Sequence, residues 1–234
     1  MFLGKKGDLR VKIISLIEGI KYLNKNSLPC RMNLTEATLH LQNDPEFKKV
    51  IETTTLPSFS PSGNVYYDLL DSIVSQQLSG KVAATIFNRF LSLFPDRNPR
   101  PALLVDMPFE QLRGIGLSAQ KTSYLQNVAK YAIENDIDNN IWHNKSDIEI
   151  INELSRIKGV GQWTVEMILI FTLGRPDVLP IDDLGIQQAM INLCGFTETG
   201  KSLKNKMIER AEPWRPWRSL ATRYLWRWKD TVKQ

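Results

Sequence analysis

The chain of 234 residues is 42% hydrophobic and 24% charged, enough to bury one substantial core, and has no apolar run long enough to span a membrane. Two cysteines (Cys30, Cys194) and two histidines (His40, His143) exclude a disulfide framework and a four-cysteine zinc or iron–sulfur site, so a reducing, cytoplasmic setting with no metal and no cofactor is expected. The formal charge of +5 is lopsided: residues 201–234 carry ten Lys/Arg against three Asp/Glu, and the rest of the chain carries 20 against 22.

Residues 1–31 fit nothing that follows. A helix is possible over residues 11–23, but the charges do not make a secretory signal. The segment reads as a disordered extension or a misassigned start, with the domain proper over residues 32–234. Residues 35–41 form a short helix, and Asp44 caps another that has Pro45 in its first turn. A proline/serine loop at residues 58–63 leads to a helix over residues 66–77 that buries Leu70, Ile73 and Val74. The next helix covers residues 81–94. Gly114-Ile115-Gly116 is a glycine turn ahead of a helix that starts near Ala119. It suits a plain connector, or a second phosphate site with Lys121 nearby. Residues 135–144 are a polar linker. No segment alternates as a strand does, so the fold is expected to be all-helical.

The most informative stretch follows. Ser146-Asp147-Ile148-Glu149 is a capping-box start, and Ile148, Ile151, Leu154 and Ile157 recur as an apolar face. Lys158-Gly159-Val160-Gly161 stops that helix, and another begins near Gln162. The turn brings several amide N–H groups and a positive helix end together, a ready place for a phosphate oxygen. Gly174 ends the second helix, and Arg175–Pro180 forces an extended link. Asp182 and Asp183 then open a third helix. Two adjacent aspartates suggest that one caps and the other faces a cleft. The C-terminal lysines and arginines are interleaved with Trp214, Trp217, Trp226 and Trp228. This reads as a folded basic helix beside that cleft, with Arg215, Arg218 and Arg223 as its probes.

The GVGQW turn, its spacing to PIDDLGI and that motif itself resemble the helix-hairpin-helix (HhH-GPD) DNA glycosylase superfamily, and within it the 3-methyladenine DNA glycosylase II group. The likeness runs over roughly residues 60 to 230. It implies an all-α, two-lobed helical glycosylase fold with a central cleft. By the family's register Asp183 is the catalytic carboxylate at the cleft mouth, which leaves Asp182 as the cap. Trp163 and Trp226 match aromatic walls of the base pocket, with Tyr67 and Trp217 as weaker candidates, Trp217 reading better as core. Met167 stands where some relatives have a tyrosine; Trp214 reads better as core. The hairpin, Lys158, Gly159, Val160, Gly161, Gln162 and Thr164, would grip the DNA backbone. Gln76, Gln77 and Leu78 would enter the minor groove with Gln77 as the wedge, and Arg218 would add a phosphate contact.

The implied partner is double-stranded DNA carrying a damaged base, bound by a monomer at no membrane, in a nucleoid or a nucleus. The implied reaction is hydrolytic excision of alkylated bases of the 3-methyladenine and 7-methylguanine type. Bifunctional relatives have a lysine two residues after the second hairpin glycine. Here that place holds Trp163, so a monofunctional enzyme is expected. A non-catalytic helix-hairpin-helix module, or a glycosylase for oxidised or mismatched bases, are the alternatives.

Overall fold

The computed structural model describes residues 33–135, 137 and 139–231, and the expectation for residues 1–31 lies outside them. Among the described residues there is helix and no strand. In chain order the helices are α1 (Leu34–Leu41), α2 (Pro45–Glu52), α3 (Val65–Ser75), α4 (Gly80–Leu91), α5 (Pro101–Val105), α6 (Phe109–Gly114), α7 (Ala119–Glu134) and α8 (Asn139–Trp142). Then come α9 (Asp147–Leu154), α10 (Gln162–Met167), α11 (Leu184–Cys194), α12 (Gly200–Ala211) and α13 (Arg218–Thr231). The chain divides into two compact units. One is Ser62–Ile168, and the other joins residues 33–61 to residues 169–231.

In the first unit α7 is the central helix, with α3, α5 and α6 packed on it and α4 against α3. Its core holds Leu69, Leu70, Ile73, Val74, Phe87, Phe90, Leu104, Leu112, Leu125 and Val128. Most of these starts carry their own signals. Asn64 caps α3 by accepting from the Tyr67 amide, and Ser118 caps α7 by accepting from Lys121 N. The capping box of α9 is formed in both directions. Its buried face differs from the expected one: Ile150 and Leu154 are buried, and Ile148 is 61% exposed. A three-residue repeat drifts around a helix with 3.6 residues per turn, and the i, i+4, i+7 set Ile150, Leu154, Ile157 holds the face better. The polar linker is also more than a linker. It contains α8, whose Trp142 is fully buried and donates its indole N–H to the Ile137 carbonyl at 3.3 Å.

In the second unit α13 packs on α11, α1 and α2. Asp44 organises the join between the first helices and the last. Its Oδ1 accepts from the Glu46 and Phe47 amides and from Arg210 Nη2 at 2.9 Å. Its Oδ2 accepts from Trp214 Nε1 at 2.8 Å. Burial alone would raise this carboxyl, but the donors from Arg210, Trp214 and Phe47 outweigh it and hold it at about 2. Trp214 is fully buried against Phe47 at 4.7 Å, the core role expected of it.

Candidate active site and nucleic-acid interface

The hairpin lies in the first unit between α9 and α10. Val160 N donates to Ile157 O at 2.9 Å, and Asn127 Nδ2 on α7 donates to Lys158 O at 3.1 Å, so the turn is moored from behind. The two glycines differ. Gly159 has φ 108°, and a Cβ there would stand 2.2 Å from the Tyr124 ring, so the fold itself demands glycine. Gly161 has φ −92° and open space where a Cβ would go. It is the N-cap of α10, a position glycine suits, and among the described residues nothing would meet a Cβ there, so the turn is open to an approach from outside. Lys158 and Gln162 are exposed at the turn, and Gln162 Nε2 donates to Glu166 Oε1 at 3.0 Å. Thr164, expected among the residues that grip DNA, is buried. It is 3% exposed, so it has only its backbone to offer a ligand. Trp163 is half-buried, and Met167 is buried.

From α10 the chain continues through a π-helical turn, Ile168–Thr172, and a non-helical link to α11. Asp183 caps α11: its Oδ1 accepts from Ile186 N at 2.9 Å and from Trp226 Nε1 on α13 at 3.0 Å. It has no exposed surface. The expected division of labour, with Asp182 as the cap, is therefore not found. Asp182 is exposed and ion-paired with Lys204, and the single residue Asp183 is both cap and candidate catalyst. A cap carboxylate must sit close to the first amides of its helix. Only the residue just outside the helix can do that, and Leu184 is the first residue inside it.

Trp226 is 3% exposed, stacked on Phe171 at 5.6 Å and 22°, so its first job is to hold Asp183. Phe59 meets Phe171 edge-on at 5.8 Å, and Arg223 lies 4.3 Å over the Phe59 ring and donates to the Pro57 carbonyl at 3.3 Å. Burial pushes the Arg223 guanidinium down to about 10. Sequence reasoning missed Phe59 and Phe171. The only signal for Phe59 was an aromatic alone in a proline/serine loop, and Phe171 was hidden in an all-apolar run.

At the end of α3, Gln77 is exposed with φ 59°, Leu78 is half-buried, and Tyr67 packs edge-on against Phe87 at 5.3 Å. Lys121 corrects the phosphate option at the second glycine turn. It is aimed into the unit, onto the Val74 and Gln76 carbonyls at 2.7 and 2.6 Å.

Several cations of the C-terminal basic segment are paired within the chain. Arg218 donates through Nε and Nη2 to Asp177, its side chain 12% exposed, and Arg215 pairs with Asp177 and Glu212. Lys206 pairs with Glu198, and Arg210 with Asp44 and Glu46. A net charge counted along the sequence overlooks acids brought in from residues 44, 46, 177, 182 and 198.

Residues 70–216 match the model of the HhH-GPD superfamily of base excision DNA repair proteins. DNA-3-methyladenine glycosylase 1 of Schizosaccharomyces pombe is 35% identical over 203 residues, covering 83% of this chain and 87% of the relative. An alkylbase DNA glycosidase-like protein of the same organism is 32% identical over 182 residues, covering 76% and 84%. Among solved structures, a 3-methyladenine DNA glycosylase of S. pombe in complex with abasic DNA superposes with a TM-score of 0.73 at 35% identity, over 85% of this chain and 97% of that one. A DNA-3-methyladenine glycosidase from Bacillus halodurans gives 0.73 at 29%, over 88% and 93%.

Proposed function

This chain belongs to the HhH-GPD superfamily of base excision DNA repair proteins, and from that premise we propose that it is a monofunctional DNA-N-glycosylase for alkylated bases. The observation that carries the reading is the Asp183 carboxylate, out of water and held by Ile186 N and Trp226 Nε1. Its partner is duplex DNA with a damaged base, which it binds as a monomer wherever that DNA is kept, nucleoid or nucleus.

The glycosidic bond of a stacked base is inaccessible, so the nucleotide must first be turned out of the duplex. The amides around Gly161 take a phosphate and set register without reading sequence. Breaking the bond builds positive charge on the sugar, as in other glycoside cleavages. At roughly 4 Å and an effective dielectric near 20, a carboxylate stabilises that charge by about 4 kcal/mol. That is on the order of a thousandfold in rate. Because Asp183 has no surface of its own, the sugar reaches it only with a local shift of the groups above it.

The remainder of the acceleration comes from the leaving group. Methylation at N3 or N7 makes a purine cationic, so it departs without a strong general acid. An aromatic face such as that of the half-buried Trp163 favours the cation over the neutral base. Trp163 also stands where a Schiff-base lysine would be needed, and an indole has no nucleophilic nitrogen. Water is then the nucleophile, and the products are a free base and an intact abasic site. Incubation with methylated duplex DNA and chromatography of the supernatant tests this. Free 3-methyladenine and 7-methylguanine with an unbroken strand are expected. Binding without release would make the chain a DNA-binding module, and a borohydride-trapped covalent adduct would make it a lyase.

A further inference from the structure

The first unit contains a strained turn for which the reaction chemistry above has no use. Helix α3 ends at Ser75, the backbone straightens at Gln76 (φ −50°, ψ 131°), and Gln77 is held at φ 59° with its side chain exposed. A left-handed glutamine is disfavoured, and such residues persist only where the surroundings over-determine them. One side chain from α7 braces this turn. Lys121, in the first turn of α7, donates its ammonium to Val74 O at 2.7 Å and Gln76 O at 2.6 Å. These carbonyls lie on either side of the helix end, where the last turn of α3 has no further amides to accept from. Leu78 N returns to Ser75 O at 3.2 Å and closes the turn. The ammonium is half-buried and both its bonds go to carbonyls, and desolvation pushes it down to about 8. A lysine placed this way fixes the backbone at two points.

We propose that Lys121 is a positioning residue for duplex opening: it locks the turn through Gln76, Gln77 and Leu78 into a preformed wedge that occupies the space of the extruded nucleotide. The proposal rests on the glycosylase reading and assigns one residue the task of keeping the wedge rigid before DNA arrives. A preformed wedge contributes when unpairing is costly. It contributes little when the target base has no partner to leave.

The test uses the full chain and two duplexes with a single 7-methylguanine, one opposite cytosine and one opposite an abasic-site analogue, under single-turnover conditions. Lys121→Met should slow base release from the paired duplex at least tenfold, about 1.4 kcal/mol, and by under threefold from the unpaired one. Lys121→Arg, which keeps the donors, should restore most of the rate. Gln77→Pro, at the exposed tip, forbids positive φ and should reproduce the same pairing-dependent loss; it decides the matter if Lys121→Met melts early. Wild-type release with an unaffected Lys121→Met, or with an equal loss on both duplexes, overturns the role of Lys121. Failure of the wild type on both duplexes overturns the glycosylase reading instead.

Discussion

Two carboxylates in this chain show how placement alone assigns different tasks to one residue type. Asp183 is fully buried, and its donors include a backbone amide and an indole N–H. Asp71, on α3, lacks comparable donors: burial, with Asp68 one turn away, pushes its carboxyl up to about 7, and only Ser75 Oγ at 3.4 Å opposes this. Its folded value lies above the unfolded value near 4, so the folded state binds the proton more tightly between them. Stability contributed by the neutral acid is therefore present below about pH 4 and lost as pH rises through about 7. Asp71→Asn, which imitates the neutral form, should raise the melting temperature at about pH 8 and by much less at about pH 5. A rise of equal size at both would remove the titration from the explanation.

At the scale of elements, the hairpin separates what folds the chain from what grips a ligand. Gly159 is required by Tyr124 and by its own φ, whereas Gly161 is required by neither. Gly159→Ala should cost on the order of 1–3 kcal/mol of stability in denaturant unfolding. Gly161→Ala should unfold like the wild type and bind duplex DNA more weakly, because its added methyl occupies the approach of the phosphate. Equal destabilisation by both would mean that Gly161 has an internal role after all.

These elements were legible to different degrees. Local signals sufficed for the starts of α2, α7, α9 and the hairpin, because caps and glycine turns act over three or four residues. The cap on α11 was assigned one residue early, since either of two adjacent aspartates satisfies the same pattern. Trp226 as a donor to Asp183, and Lys121 as a clamp on α3, join residues 43, 45 and 47 apart, beyond the reach of any local rule.

Over the whole molecule, net charge misleads. The surplus of the last 34 residues is largely committed to acids from distant parts of the chain, and Arg218 in particular is fixed on Asp177. Arg218→Ala should cost about 1–3 kcal/mol of stability, the range for hydrogen bonds to charged groups in a partly buried setting. It should change the affinity for undamaged duplex at low salt less than twofold. A large loss of affinity with unchanged stability would return Arg218 to the interface. The comparison that reaches furthest is base release from methylated duplex DNA by the wild type, Asp183→Asn and Asp182→Asn, followed by chromatography of the free bases. Asparagine at 183 can still accept from Ile186 N and Trp226 Nε1 and so should keep the fold while removing the charge. The predicted result is free alkylpurine from the wild type and from Asp182→Asn, with release by Asp183→Asn down about a thousandfold at an unchanged melting temperature. Release by Asp183→Asn at the wild-type rate would contradict the account.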